Sequence, residues 1–162
     1  MELLTIIFIG VIIYICYLVQ SGAIIRGDDR RPSAEDFVYP FEVQINLALG
    51  EYKDYECARD IKRYWVEVLK RIYNRDPERT KEIAKQDLRQ WALAQVSSRA
   101  FDMIASGQYH LMDSLTPEGK VLAEIYRSCL RKACDCGYID EKTLNKQLIN
   151  LSEQIHETGT WA

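Results

Sequence analysis

An uncharged hydrophobic segment near the start of the chain is the feature that most limits what this sequence can fold into. Residues 3–25 contain no charged side chain, and 12 of the 17 residues from Leu3 to Val19 are Leu, Ile, Phe or Val. Each of these contributes roughly −0.3 to −0.6 kcal/mol to membrane insertion. As a helix rising about 1.5 Å per residue, the segment is long enough to cross a hydrocarbon layer of about 30 Å. We therefore predict a single transmembrane helix within residues 1–25, in contact with membrane lipid through residues 3–25.

A cleaved signal peptide is the alternative interpretation of the same segment. Such a peptide has a basic amino-terminal region, an apolar core of about 7–15 residues and small residues at the cleavage site. Here Met1 and Glu2 supply no basic charge and the apolar core is longer, although Ser21, Gly22 and Ala23 are small. These criteria favour an uncleaved anchor and leave cleavage open.

The distribution of basic residues predicts the orientation of this anchor. No Lys or Arg precedes the hydrophobic segment, whereas Arg26, Arg30 and Arg31 follow it closely. Loops rich in Lys and Arg stay on the cytoplasmic side of a membrane. We therefore expect the amino terminus outside and the rest of the chain in the cytoplasm. Residues 26–33, which include Gly27 and Pro32, are predicted to be a juxtamembrane linker because both residues disfavour helix.

The composition after the linker is typical of one globular domain, predicted over residues 34–162. The whole chain is 48% hydrophobic and 28% charged, which argues against disorder. Residues 26–162 carry 21 basic and 23 acidic side chains, a net charge of −2. Nucleic-acid binding depends on a basic surface that neutralises phosphate. We therefore expect no nucleic-acid partner.

The hydrophobic periodicity of this domain is helical. Pro40 interrupts the first helical stretch, and Phe41, Ile45, Leu47, Ala48 and Leu49 then suggest a short buried helix closed by Gly50. Further stretches have apolar residues at three- and four-residue spacing, and none has sustained period-two alternation. The sequence predicts an all-α bundle of about five helices, over residues 33–49, 51–74, 76–104 (with a break near Ser97 and Ser98), 116–137 and 140–155.

The cysteines are the strongest candidates for chemistry. Four of five lie after the anchor, and unpaired thiols suit a reducing compartment. Cys129, Cys134 and Cys136, with His110, are weak candidates for metal ligands. A thiolate metal site usually has two closely spaced Cys pairs, or one pair with a pair of His, so this set is incomplete. Because Cys129 lies on an apolar helical face, we interpret it as a core residue.

No catalytic motif accompanies these residues. His110 lies near Tyr109 and Asp113, but no Ser or Cys nucleophile motif is associated with it. The glycine-rich phosphate loops and the H-E-x-x-H zinc motif are also missing from the sequence. We predict that the protein is not an enzyme, and the sequence gives no reason to expect a cofactor.

Aromatic residues suggest a different role. Tyr52 and Tyr55 begin an amphipathic stretch, and Trp161 follows the last predicted helix. Tyr and Trp are enriched at protein interfaces, so these three are the predicted interaction residues. The leading hypothesis is an adaptor or structural subunit that docks onto a larger membrane-associated complex. The alternative is a small metal- or redox-responsive membrane protein that uses Cys129 and its neighbouring cysteines.

Overall fold

The computed structural model describes residues 33–112 and 114–155, and residues 34–155 belong to one compact unit. These residues confirm the all-α prediction. The predicted anchor and nearly all of the linker lie outside the described residues. No helix in the described part of the chain is both long and apolar enough to cross a membrane.

Six α-helices lie in the described residues, rather than the five or so that the sequence predicts. A 3-10 helix, Gly50–Asp54, follows the first of them. A two-stranded antiparallel hairpin, β1 (His110–Leu111) and β2 (Ser114–Leu115), pairs His110 with Leu115. The α-helices are α1 (Ala34–Leu49), α2 (Glu56–Arg75), α3 (Pro77–Ala84), α4 (Leu88–Ala105), α5 (Pro117–Asp135) and α6 (Glu141–Gln154).

The sixth helix arises because the predicted helix 76–104 is divided. Its break lies at residues 85–87, and the predicted break near Ser97 and Ser98 is wrong because both lie inside α4. Asp87 is the N-cap of α4, where its carboxylate accepts hydrogen bonds from the backbone N–H groups of Arg89 and Gln90. Satisfying two amide donors there makes a helix start favourable at that point. The Ser97 hydroxyl donates to the Ala94 carbonyl and leaves the helix intact.

Two further helix boundaries differ from those predicted. Pro40 does not interrupt the first helix, because α1 runs through it from Ala34 to Leu49. Buried residues on both sides of Pro40, Val38 and Phe41, hold this helix to the core and offset the cost of proline. The stretch predicted as one helix from Glu51 begins instead as the 3-10 helix, and α2 starts only at Glu56.

Side-chain caps begin three other helices. The side chains of Asp76, Thr116 and Asp140 accept hydrogen bonds from backbone N–H groups at the starts of α3, α5 and α6. Gly50 follows α1 with φ +59° and Gly137 follows α5 with φ +74°. Glycine adopts this left-handed conformation without the steric cost that a Cβ atom adds, which is why it ends helices.

The core forms where α4 and α5 pack against each other, with α1 and α2 on one side. Cys129 is buried there, as its apolar position predicted. Along α6, Leu151 is buried whereas Leu144 and Leu148 are only partly buried, so α6 covers the bundle incompletely. The fully buried side chains of the core include Ile45, Ile61, Leu69, Val96, Ile104, Leu122 and Ile125.

Candidate functional site

The outer face of α1 carries a row of exposed apolar side chains. Tyr39 is 67% exposed, Val43 38% and Leu47 63%. Positions four residues apart lie on the same side of a helix, so these three form a line along α1, which we call the α1 row. Leu47 was predicted to be buried, and that prediction is wrong. The buried face of α1 is formed instead by Val38, Phe41, Ile45, Ala48 and Leu49.

An aromatic cluster fixes α1 to the rest of the bundle. Phe41 meets Trp91 of α4 edge to face, with ring centroids 5.0 Å apart. Trp91 in turn meets Trp65 of α2 at 5.6 Å, and the Trp65 indole N–H donates to the Gln95 carbonyl at 3.1 Å. Aromatic pairs of this kind add about 0.5–1.5 kcal/mol beyond the area they bury. The α1 row is therefore displayed on a helix held from two sides.

Ion pairs between α1 and α2 support the same arrangement. Glu35 lies 3.2 Å from Lys70, and Glu42 lies 2.8 Å from Lys62. Backbone hydrogen bonding at the start of α1, and then Lys70, lower the pKa of Glu35 from its ordinary value. Exposed pairs contribute little to stability. Their main consequence is that pairs of opposite charge border the amino-terminal half of the α1 row.

A groove of about 420 Å³ adjoins the other end of the α1 row, at Leu47. The Lys132 ammonium lies in it and donates to the carbonyls of Leu47, at 3.4 Å, and Ala48, at 3.1 Å. Within the described ranges, neither Arg89 nor Lys132 forms an ion pair with a carboxylate. Leu47 and Leu93 form an apolar wall of the groove, beside the cations of Arg89 and Lys132. The groove is lined by Gln44, Leu47, Ala48, Arg89, Leu93 and Lys132.

The predicted interaction residues lie elsewhere on the chain. Tyr52 is in the 3-10 helix, half-buried, and Tyr55 is the residue before α2, 46% exposed. Their ring centroids are 6.3 Å apart, and burial raises the pKa of Tyr52. Trp161 lies outside the described residues. A role for these three in binding stays a prediction.

The cysteines occupy two kinds of environment. Burial raises the pKa of both the Cys57 and Cys129 thiols to about 12. The Cys129 thiol is a weak donor to the Ala48 carbonyl at 3.6 Å. Cys134 and Cys136 are half-exposed at the end of α5. Over residues 33–112 and 114–155, no three His, Cys, Asp or Glu side chains are arranged to hold a metal ion.

His110 lies in β1 at the base of the small hairpin. Its Nε2 is buried and has no hydrogen-bond partner among the described residues. The neighbouring Ser114 hydroxyl donates to the Leu111 carbonyl at 3.0 Å, so it serves the turn. Residue 113, the acid that the sequence places close by, is outside the described residues. The described contacts of His110 therefore assemble no catalytic arrangement.

The sequence of α1 itself contains a signal for the α1 row, a second apolar stripe. Residues 34–49 are apolar on both sides of the helix, since 38, 41 and 45 form one stripe and 39, 43 and 47 another. Only one of these stripes faces the core. A second apolar stripe on a short helix is a signal for an exposed binding face.

Comparison with known proteins gives no further guide to function. No protein-family model, no curated protein and no solved structure matches this chain.

Proposed function

We propose that this protein is a membrane-anchored helical adaptor or structural subunit that docks onto another protein of a membrane-associated complex. Residues 3–25 serve as the anchor, and the carboxyl-terminal domain lies on the cytoplasmic side. The observation that carries this proposal is the α1 row, Tyr39, Val43 and Leu47, exposed on a helix that follows the linker directly. The domain performs no chemistry of its own in this role.

The chemistry around the α1 row favours a protein partner over the lipid surface. Glu35 and Glu42 are each paired with a lysine of α2, so the amino-terminal end of the row offers no net positive charge to anionic headgroups. At the other end, Arg89 and Lys132 flank Leu47. A partner segment with an apolar side chain next to a carboxylate complements this groove, because the apolar side chain packs on Leu47 and the carboxylate pairs with a cation.

Co-purification tests the docking surface. Full-length tagged protein is extracted from its native membranes in mild detergent, and the chains that come with it are quantified. Leu47→Asp places a charge within the proposed contact, and loss of a hot-spot residue near the centre of an interface costs about 2 kcal/mol or more. We expect at least a tenfold loss of the partner chain. Ile149→Asp is the matched control, because Ile149 is an exposed aliphatic residue on α6, 58% exposed.

Recovery of the wild-type protein alone, as a monomer, would contradict the proposal. Equal loss of partner with Leu47→Asp and Ile149→Asp would also contradict it, since the α1 row would then have no special role. Stoichiometric zinc or iron in the purified protein would instead favour the metal-responsive alternative built on Cys129, Cys134 and Cys136.

The orientation of the anchor has its own test. Cys134 and Cys136 are half-exposed, so a maleimide reagent of high molecular weight can reach them in the folded domain. With the domain in the cytoplasm, these two residues are labelled only after the membrane is permeabilised. Labelling of either residue in sealed cells would refute the proposed orientation. Alkaline carbonate extraction, read by the fraction that stays with the membrane, tests the anchor itself.

A further inference from the structure

A cleft lies between α4, α5 and α6, and Leu93 is the one described lining residue that it shares with the groove beside the α1 row. It has a volume of about 370 Å³ and is open to solvent, since lining residues such as Ala94 and Asn150 are exposed. Small-molecule sites commonly measure about 300–1,000 Å³, so a small ligand fits within it.

The walls of this cleft are fixed at both ends. The Tyr138 hydroxyl, in the connection from α5 to α6, donates to the Asp87 carboxylate at the start of α4, at 2.9 Å. Further along, the Tyr126 hydroxyl of α5 donates to the Gln147 side-chain oxygen of α6, at 2.6 Å. On α6 itself, Leu144 and Leu148 are only partly buried against the bundle. Two hydrogen bonds therefore join the elements that form the walls of the cleft.

The side chains that line the cleft are uncharged. None of the 14 described residues that line the cleft is acidic or basic, although 28% of the chain is charged. Leu93, Phe101 and Leu130 form an apolar floor, and the Cys129 thiol beside them stays protonated because burial raises its pKa to about 12. Desolvating an unpaired ligand charge on such a floor costs several kcal/mol. An uncharged ligand avoids that penalty.

Hydrogen-bonding groups border this floor. Ser98 and Asn150 line the cleft, and their side chains make no hydrogen bond to any of the described residues. The Gln147 amide keeps its NH₂ group as a donor, because its oxygen already accepts from Tyr126. Beyond Asn150, an adjoining depression contains Glu153, which is exposed, so that solvent screens its charge from the cleft. A hydroxyl or carbonyl group on a ligand therefore finds donors and acceptors on α4 and α6.

We propose that this cleft binds an uncharged amphiphile, whose apolar body lies on Leu93, Phe101 and Leu130 and whose hydroxyl or amide group meets Ser98, Gln147 and Asn150. The site is independent of docking through the α1 row. It gives the domain a ligand-dependent contact between α6 and the rest of the bundle, at the place where α6 is least packed.

Three probes with the same apolar body and different head groups test this inference: 4-phenylbutan-1-ol, 4-phenylbutanoate and 4-phenylbutylammonium. The full chain is placed in nanodiscs and labelled at Leu and Ile methyl groups, so that Leu130 and Ile139, which line the cleft and not the groove beside the α1 row, report binding at the cleft itself. We expect saturable shifts at these methyls with the alcohol, at least tenfold tighter than with either charged probe. No shift at these methyls, or equal affinity for a charged probe, would overturn the proposal.

Two variants separate binding in the cleft from binding elsewhere. Ala94→Phe fills the cleft from its exposed edge and should weaken binding of the alcohol at least tenfold. Ala105→Phe makes the same change at an exposed position of α4 that does not line the cleft, and binding should be unchanged. Undiminished binding to Ala94→Phe would refute the site. If Ala94→Phe does not fold, Ser98→Ala replaces it: a several-fold weaker binding of the alcohol is expected, because one hydrogen bond to its hydroxyl is lost, and unchanged affinity for the alcohol is contrary to the proposal.

Discussion

Replacing Lys132 with methionine tests how α1 is terminated. The last turn of α1 contains no basic residue, so nothing in its own sequence interacts with the partial negative charge at its carboxyl end. Lys132 of α5 supplies that interaction from outside, because its ammonium donates to the Leu47 and Ala48 carbonyls. Methionine keeps most of the apolar stem of lysine and removes the charge and the donors. The substitution therefore isolates the capping interaction.

The structure allows the magnitude to be estimated. A hydrogen bond from a charged donor contributes about 1.5–3 kcal/mol to stability, and a cation at a helix end about 0.3–1 kcal/mol. Lys132 is only half-buried, so solvent reduces both contributions. We expect Lys132→Met to lower the free energy of unfolding by about 1–2 kcal/mol. For a domain of this size that corresponds to a decrease in melting temperature of roughly 4–8 °C.

Thermal unfolding of the full chain in mild detergent, followed by far-ultraviolet circular dichroism, measures this loss. Lys120→Met is the matched control, since Lys120 is exposed on the same helix and has no ion pair or side-chain hydrogen bond in the described part of the chain. Its melting temperature should be within about 1 °C of wild type, because isolated surface substitutions change stability little. Equal melting temperatures for Lys132→Met and Lys120→Met would refute the capping role.

Three further predictions concern positions where the structure departs from ordinary local preferences. Pro40→Ala should stabilise the domain by about 1–3 kcal/mol in urea unfolding, because Pro40 lies inside α1, where proline costs about 3 kcal/mol relative to alanine. An unchanged urea midpoint would contradict this prediction and show that α1 has adapted fully to proline. Met112→Asn should raise the free energy of unfolding by about 0.5–1 kcal/mol, since Met112 has φ +57° and Asn tolerates that conformation. Met112→Ala should leave the free energy of unfolding unchanged. Equal effects of the two substitutions would contradict the conformational argument. Alkylation at pH 8, mapped by peptide mass spectrometry, should modify Cys57 and Cys129 roughly a thousandfold more slowly than a thiol with an ordinary pKa of about 8.5. Their raised pKa also means that both thiols stabilise the fold below about pH 8.5, and that this contribution is lost as the pH rises towards 12. Stability that does not change between pH 8 and pH 10 would argue against the raised pKa values.

Local sequence signals predicted most of the helix ends. The side chains at Asp76, Thr116 and Asp140 cap helices because a short acidic or hydroxyl group reaches the nearest free amides without help from the rest of the fold. Gly50 and Gly137 end helices for an equally local reason, their access to positive φ. Such features depend on a few consecutive residues, which is why they can be predicted.

Other features depended on contacts between distant residues and could not be predicted locally. Leu47 was predicted to lie in the core, yet Phe41, Ile45 and Ala48 form the buried face of α1 and Leu47 faces solvent. Pro40 was expected to interrupt a helix that tertiary packing keeps continuous. The break between α3 and α4 did have a local signal, the Asp87 cap, that was overlooked in favour of two serines.

The sequence by itself determined the helical class, the capped helix ends and the hydrophobic segment of residues 3–25, because each follows from residues that are close together in the chain. Only the tertiary structure decided which of the two apolar stripes of α1 is buried and where α6 leaves a cleft over α4 and α5. The physical reason is that helical periodicity specifies which residues share a face. Which face is buried depends on the neighbouring helices, here through the Phe41, Trp91 and Trp65 contacts and the hydrogen bonds of Tyr126 and Tyr138.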